Sequence, residues 1–479
     1  MSPSVEPFDG AKYKALMDGI QSAEIRLKDV RVNKDFRFDS NFYTIKTVRN
    51  ASLSYELIGK HLLSTQYGVS KDMNSSGEGY PIFRMNELHH GLCDIEPEKH
   101  VELSENDFEI VELHDGDVLF NRTNSYDLVG RTGIYYQHGL RQTYASYLVR
   151  LVPDNTELLS EYLVAFLNTK HGVQEIKRRA RQSINQTNVN PEEVKRIQIP
   201  MVCMELQQTI KAVFLKADIL RVHANDQYEE AERIIDQTIG RIEYIETIPA
   251  VSEKCVSASF ALTGRLDAEY YQQKYLIIRN NLHTKDTVQS ICSRVYDDNY
   301  IPQGDVEYNY IELANVGNNG DISDVGIVLG AKLPSRARRI VKKGQVIISS
   351  VEGSLQSCAL ITDEYDGALC STGFYVLDSS RINSETLLVL FKSDPIQALL
   401  KQRCSGTILT AISKDELLNM PLPYIDEDVQ KEIAAKVQES FTLRRKSKEL
   451  LEYAKQAVEM AIEQSEDAAL EWLKEKVAE

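Results

Sequence analysis

Arg37-Phe38-Asp39-Ser40-Asn41-Phe42-Tyr43 returns further along the chain as Arg265-Leu266-Asp267-Ala268-Glu269-Tyr270-Tyr271, 228 positions later. Gly116-Asp117-Val118-Leu119-Phe120 answers to Gly344-Gln345-Val346-Ile347-Ile348 at the same offset. Tyr162-Leu163-Val164-Ala165-Phe166-Leu167 matches Thr386-Leu387-Leu388-Val389-Leu390-Phe391 at 224, and Ile199-Pro200 matches Leu422-Pro423 at 223. An apolar run beside a glycine is a common strand signal and decides nothing alone. Shared order and a slowly shrinking offset are what duplication followed by small loop deletions leaves, so the chain carries one module twice.

The front of each repeat reads as short strands rich in β-branched and aromatic residues, such as Tyr80–Met85, Asp117–Phe120, Gly133–Tyr136 and Tyr147–Leu151. A helix follows, with Ser160-Glu161 as cap and first turn, and a second amphipathic stretch runs to about Arg181. After each repeat comes a long text almost free of glycine and proline. In the first, Leu206, Ile210, Val213, Ala217, Leu220, Ala224, Tyr228, Ala231, Ile235, Thr238, Ile242 and Ile245 recur at spacings of 3 and 4 with one stutter. In the second, Val429, Ile433, Val437, Phe441, Leu451, Ala454, Val458 and Ile462 do the same and lead toward Trp472. Each predicts a helix of roughly 40 to 50 residues, about 60 to 75 Å long.

The predicted architecture is α+β: two strand-rich domains, each followed by a long helix, with the helices pairing as an antiparallel coiled coil and a head at each end. The boundaries are 1–203, including an N-terminal arm, 204–248, 249–425 and 426–479. The alternative is that each helix packs back on its own domain.

The 479 residues suffice for two or three ordinary domains, and 42% hydrophobic with 26% charged residues is a normal globular balance. No apolar run is long enough to span a membrane and no signal peptide is visible, so a soluble cytoplasmic protein is expected. The cysteines at 93, 203, 255, 292, 358, 370 and 404 are odd in number and lack Cys-x-x-Cys spacing, and His89-His90 has no ligand-spaced companion. Neither a disulfide framework nor a metal is expected.

A formal charge of −16 argues at first against nucleic acid. The charge is segregated, however: Lys332 to Lys343 carries six basic residues and no acid, whereas Asp94 to Asp115 holds nine acids and one lysine. An acidic body can therefore present a basic face.

Gly116-Asp117-Val118-Leu119-Phe120-Asn121-Arg122-Thr123-Asn124, then Val129-Gly130-Arg131-Thr132-Gly133, resembles the loop pattern of target recognition domains in specificity (S) subunits of type I restriction-modification systems. Ser183-Ile184-Asn185-Gln186-Thr187-Asn188-Val189, Ile197-Gln198-Ile199-Pro200 and Glu205-Leu206-Gln207-Gln208 are similar to that family's passage into a spacer helix. The resemblance implies that each domain reads half of a split double-stranded DNA site. It also implies that the helices set the spacing and dock two modification (methyltransferase) subunits, which carry S-adenosylmethionine and methylate adenine; a restriction or translocase subunit is a further partner. Three features depart from the pattern: Ile348-Ser349-Ser350-Val351-Glu352-Gly353-Ser354 replaces the Asn-Arg-Thr-Asn loop, Met201–Met204 lacks a proline-rich form, and the first 35 residues have no counterpart.

Bidentate readout pairs Arg with guanine and Asn with adenine. Arg84, Asn121, Arg122 and Asn124 supply that chemistry, with Ser349 and Ser350 at the corresponding place in the second repeat. The alternative is that the asparagines only stabilise turns. Phosphate contacts require only a cation or exposed donor. Lys177, Arg178, Arg179, Arg181, Gln182, Asn185, Gln186 and Asn188 suit that role, as do Arg336, Arg338, Arg339, Lys342, Lys343, Lys401, Arg403 and Thr407. Against this stands the reading of a charge run as a solvated face. Phe42-Tyr43 and Tyr270-Tyr271 are expected to pack in the core rather than stack on bases.

No phosphate-binding loop, dinucleotide fingerprint or Asp/Asn-Pro-Pro-Tyr/Phe tetrapeptide occurs, so no catalysis and no cofactor are expected in this chain. The contrasting expectation is a tandem scaffold whose coiled coil gathers proteins rather than DNA. Under the DNA reading, two readers facing one side of a duplex contact it about one helical turn, ~34 Å, apart.

Overall fold

A computed structural model describes residues 9–20, 22–32, 36–184, 186–240, 251, 253–323, 325–406 and 410–478. Contacts divide the chain into two compact units, Met1–Val222 with Arg445–Glu479 and His223–Arg444. Each unit therefore includes part of both long helical stretches.

In the first unit, β1 (Leu62–Tyr67), β2 (Val118–Asn121) and β3 (Leu148–Pro153) belong to a six-stranded sheet in which β3 lies between β1 and β2, antiparallel to both. Val118 and Phe120 enter one apolar cluster and Leu119 the other, so the strand is covered on both faces and reads as an unbroken apolar run. Ser54–Leu57 pairs antiparallel with Gln198–Met201, laying the start of the domain beside its end. Helices α1 (Ser160–Asn168), α2 (Lys170–Arg179) and α3 (Pro191–Lys195) follow. Ser160 is the first helical residue rather than the cap, its amide and hydroxyl both bonded to Asn155 Oδ1 at 2.9 and 3.2 Å. The long α4 (Met204–Ile239) begins in this unit and ends in the second.

The second unit rebuilds the same frame. Strand β6 (Phe374–Ser379) lies between β4 (Cys292–Tyr296) and β5 (Val346–Ser349), again antiparallel to both. Val346 and Ile348 face one cluster and Ile347 the other. Helices α5 (Ser384–Lys392), α6 (Asp394–Arg403) and α7 (Lys414–Leu418) stand for α1 to α3. The last two helices of the chain are α8 (Glu427–Glu463) and α9 (Glu466–Ala478).

The two long helices pair within each unit. In the first, Ser447 Oγ donates to Ala217 O at 2.7 Å; in the second, Ser440 Oγ donates to Ala224 O at 2.6 Å and Lys436 Nζ to Gln227 Oε1 at 2.9 Å. Ser440 and Ser447 stand 223 positions after Ala217 and Ala224, so the repeats make reciprocal contacts. The antiparallel pairing expected from the seam is present in both units, and the seam also joins the domain cores: Leu206, Ile210, Val213 and Val458 share a cluster with Leu163 and Phe166. Packing between helices and packing on the domain thus coexist, because each apolar stripe is wide enough for both.

Two expectations change. The second stretch is two helices, since the chain breaks at Gln464-Ser465 and Ser465 Oγ caps the new helix through Ala468 N at 3.2 Å. The first seam passes through buried Ile239 and leaves Thr238 exposed; Ile242 and Ile245 lie outside the described residues. No helix among the described residues is long and apolar enough to cross a membrane.

Candidate nucleic-acid interface

The peptides that reveal the repeat act as clamps. Arg37 bonds Asp39 at 2.6 Å, donates to Arg179 O at 2.8 Å at the end of α2, and lies 4.7 Å over Phe42. Arg265 bonds Asp267 at 2.7 Å, donates to Arg403 O at 3.3 Å and Cys404 O at 2.8 Å at the end of α6, and lies 4.3 Å over Tyr270. A cation is favoured where the last carbonyls of a helix are unsatisfied. Phe42-Tyr43 and Tyr270-Tyr271 are half-buried rather than core residues, because their rings and hydroxyls hold these arginines: Tyr43 and Tyr271 donate to Arg37 O and Arg265 O at 2.9 and 3.1 Å.

Gln207 and Gln430 form a second matched clamp. Gln207 accepts from Leu159 N at 3.0 Å and donates to Glu157 O and Val202 O. Gln430 accepts from Asn383 N at 2.8 Å and donates to Arg381 O and Ile425 O. The helix-entry motif therefore ties the start of each long helix to the turn before α1 or α5.

Several residues selected for DNA contact are committed internally. Arg179 is buried and paired with Glu175, and its Nε is 4.0 Å from Glu193. Its counterpart Arg403 is buried and 2.8 Å from Glu416. Burial pulls both guanidiniums below their ordinary range, but the neighbouring carboxylates hold the charge. Asn121 is 0% exposed; its Nδ2 donates to Met85 O at 3.2 Å, and its buried Oδ1 has no partner among the described residues. Ser349 is equally buried and bonded to Ser354 Oγ at 2.9 Å. Arg84 is held by Glu87 at 2.8 Å and Glu98 at 2.7 Å. Lys177 sits on the carbonyls of Tyr126, Asp127 and Val129, and burial lowers its pKa. The long acidic partners supply a structural role that a charge run in sequence does not reveal.

The remaining residues of the first unit converge. Thr123-Asn124, Thr187-Asn188 and Arg181-Gln182 form a small three-stranded antiparallel ribbon, with Asn188 opposite both Thr123 and Arg181. Two separate sequence segments thus share one surface element, on which Arg181, Gln182 and Gln186 are exposed and Ile184 is 100% exposed. Asn124 Oδ1 accepts from Ser125 N, which is turn stabilisation, and Asn188 Oδ1 accepts from Thr123 Oγ1 at 2.6 Å. Arg122 enters the ribbon half-buried, its Nη1 donating to Ser146 O at 3.2 Å. Arg178 donates to Phe42 O at 2.6 Å and lies 4.8 Å over that ring. Asn185 lies outside the described residues.

In the second unit the ribbon is rebuilt from other chemistry. Glu352 N donates to Thr410 O at 3.0 Å and Ala411 bridges to both Val351 and Ser405. Ser350 Oγ bonds Gly373 O at 2.9 Å. The basic run is elsewhere: Ala337–Ile340 is a strand of another sheet. There Arg336 bonds Glu312 at 2.9 Å, Arg338 donates to Ser335 O, and Arg339 donates to Phe374 O and lies 5.2 Å over Tyr375. Lys342, Lys343 and Lys401 are exposed, with Lys343 2.6 Å from Asp363. Thr407 lies outside the described residues. Among those described, one histidine-carboxylate group has metal-like proximity, Glu56, His61 and Glu157, and its His61 Nε2 already bonds Glu56 at 2.9 Å.

Residues missed from sequence are Glu175, Glu193 and Glu416, which lie beside the buried Arg179 and Arg403, and Tyr67, over whose ring Arg122 lies at 5.1 Å. Glu193 and Glu416 stand 223 positions apart, a spacing that marks them as a repeated pair.

No protein-family model matches the chain. It is 27% identical over 163 residues to a putative type I restriction enzyme MjaX specificity subunit of Methanocaldococcus jannaschii, covering 34% of this chain and 38% of that protein. It is 24% identical over 196 residues to the EcoKI specificity subunit of Escherichia coli, covering 40% and 41%, and 22% identical over 245 residues to the StySPI specificity subunit of Salmonella potsdam, covering 48% and 53%. The chain thus spans about half or less of the length of these curated relatives. A type I S subunit from M. genitalium aligns over 88% of this chain and 97% of its own at 13% identity, with a TM-score of 0.36. The HsdS subunit of Thermoanaerobacter tengcongensis aligns over 87% and 98% at 13% identity, with a TM-score of 0.29. Both scores are too low to speak for a common arrangement. The sequence matches bear out the resemblance read from the loop and helix-entry segments: this chain is a relative of the specificity subunits of type I restriction enzymes.

Proposed function

We propose that the chain is a sequence-specific DNA-recognition subunit, each unit contacting one half of a bipartite duplex site. It directs partner adenine-methylating subunits to that site, with a restriction or translocase subunit as a further partner. The observation that carries this reading is the contrast between a duplicated frame and a diverged ribbon. The arginine and glutamine clamps are the same in both units, whereas Arg122 and Asn124 of the first unit are replaced by Ser350 and Glu352 at the corresponding positions of the second. A reader of two different half-sites needs that combination, because base contacts must differ while the scaffold that aims them need not.

Base readout is assigned to Arg122 and Asn124 in the first unit and Ser350 in the second. Phosphate contacts are assigned to Arg178, Arg181 and Gln186, and to Arg336, Arg338, Arg339, Lys342 and Lys343. The exposed ion pairs of Arg336 and Lys343 are weak enough to yield to a phosphate. The chain itself catalyses nothing in this reading, and S-adenosylmethionine binds the methylating partners.

The test is duplex DNA retardation by the full chain, with and without co-expressed neighbouring gene products, beside long-read mapping of methylated adenines in the host with and without this gene. Sequence-selective retardation and loss of methylation at one split motif are expected. Retardation of all duplexes alike, with an unchanged methylation map, would reject the proposal.

A further inference from the structure

Tyr67 ends β1, the edge strand of the first unit's sheet, and is 52% exposed. An exposed aromatic at a strand end has little core role. Its ring instead carries the Arg122 guanidinium, whose centre lies 5.1 Å from the ring centroid. One hydrogen bond acts on that guanidinium, from Nη1 to Ser146 O at 3.2 Å, while the backbone N–H of Arg122 anchors the chain at Tyr147 O at 3.0 Å; among the described residues the buried Nε has no partner. Among the described residues Nη2 has no hydrogen-bond partner. The guanidinium is therefore held over one ring and by one carbonyl, which leaves Nη2 and the second Nη1 proton for an outside acceptor pair.

The second unit sharpens this. Strand register places Tyr67 opposite Val149, which lies opposite Phe120; in the other unit Tyr375 lies opposite Ile348, the counterpart of Phe120. Val376 lies opposite Tyr296, so the residue following Tyr296, Asp297, stands in the place of Tyr67. Asp297 is bonded to Lys414 at 2.5 Å, and Ser350 replaces Arg122. Both members of the stacked pair are replaced together, as expected if they work as one device.

We propose that Tyr67 is a positioning residue for base readout: it holds the Arg122 guanidinium in place so that Nη2 and the remaining Nη1 proton meet the O6 and N7 acceptors of one guanine in the first unit's half-site. This rests on the DNA-recognition reading. The fork geometry of arginine matches those two acceptors, and a guanidinium on an aromatic face loses the freedom that would blur the match.

The experiment selects bound duplexes from a pool of randomised DNA with the full chain, then sequences them. The wild-type chain should enrich a split motif with guanine at a position that Arg122→Lys relaxes. Tyr67→Leu should lower the preference for guanine there by roughly fivefold or more, leaving other positions and the salt dependence unchanged, and Tyr67→Phe should restore it. Adding Tyr67→Leu to Arg122→Lys should produce no further loss at that position. The inference is overturned, with the DNA reading intact, if a wild-type motif appears but Tyr67→Leu changes no position or weakens all positions equally. Absence of any wild-type motif overturns both. If Tyr67→Leu fails to fold, an Arg122→Lys chain that relaxes no guanine position overturns the inference.

Discussion

The two units differ most where their frames agree best. Arg37 and Arg265 close on the same helix ends, Arg179 and Arg403 on the same following turns, and Gln207 and Gln430 on the same helix entries. One residue beyond the buried strand ends Asn121 and Ser349, the chemistry changes from a stacked arginine to a serine bonded to a backbone carbonyl. The lesson is that constancy of the clamps is what permits divergence beside them, since the ribbon can change without disturbing what aims it.

The comparison is broken most severely at the buried arginines. Arg179→Ala leaves the buried Glu175 and Glu193 without their cation and is expected to destabilise its unit by about 3–5 kcal/mol, whereas Arg403→Ala strips only the half-buried Glu416 and is expected to cost its unit less, seen in urea unfolding followed by probes placed in each unit. A stable Arg179→Ala chain whose DNA binding only loses salt dependence would instead make Arg179 a phosphate contact. A smaller, matched loss of about 1–3 kcal/mol is expected for Gln207→Ala and Gln430→Ala, because each strips buried partners of their hydrogen bonds. Unequal losses would show that the helix entries are not equivalent.

The pH-dependent effect is confined to the second unit. Burial raises the Glu232 carboxyl to about 7, from an ordinary value of 4.5. The folded unit thus retains a proton that the unfolded chain releases, so this contribution is complete below about 4.5 and lost as pH rises through about 7. Melting followed from pH 5 to 8 should show the wild-type falling relative to Glu232→Gln. Parallel curves would remove Glu232 from the account.

The fold was legible because its signals are periodic. Both faces of Val118-Leu119-Phe120 are buried and the stripe from Leu206 to Ile235 is apolar at steps of 3 and 4, and such patterns survive without knowledge of neighbours. The helix break at Gln464-Ser465 was hidden because the apolar stripe resumes beyond it. The site was legible only as a region. Arg179 and Arg178 are adjacent and chemically alike, yet one is buried against acids and the other lies over Phe42, a difference made by Glu193 and by a ring 136 positions away. Asn121 looked like a loop residue because polarity after an apolar run ordinarily marks the surface, whereas here the strand carries it inside.

The antiparallel ladder between Ser54–Leu57 and Gln198–Met201 has a consequence for how the first repeat opens. The ends of a domain are ordinarily the first parts to fray, each on its own. Here the entering strand and the departing strand are each other's hydrogen-bond partners, and Ile58 N continues the contact to Ile197 O at 2.9 Å. Neither can peel away without releasing the other and exposing the buried Ile58 and Ile199 beneath, so the two ends share the cooperative fate of the core.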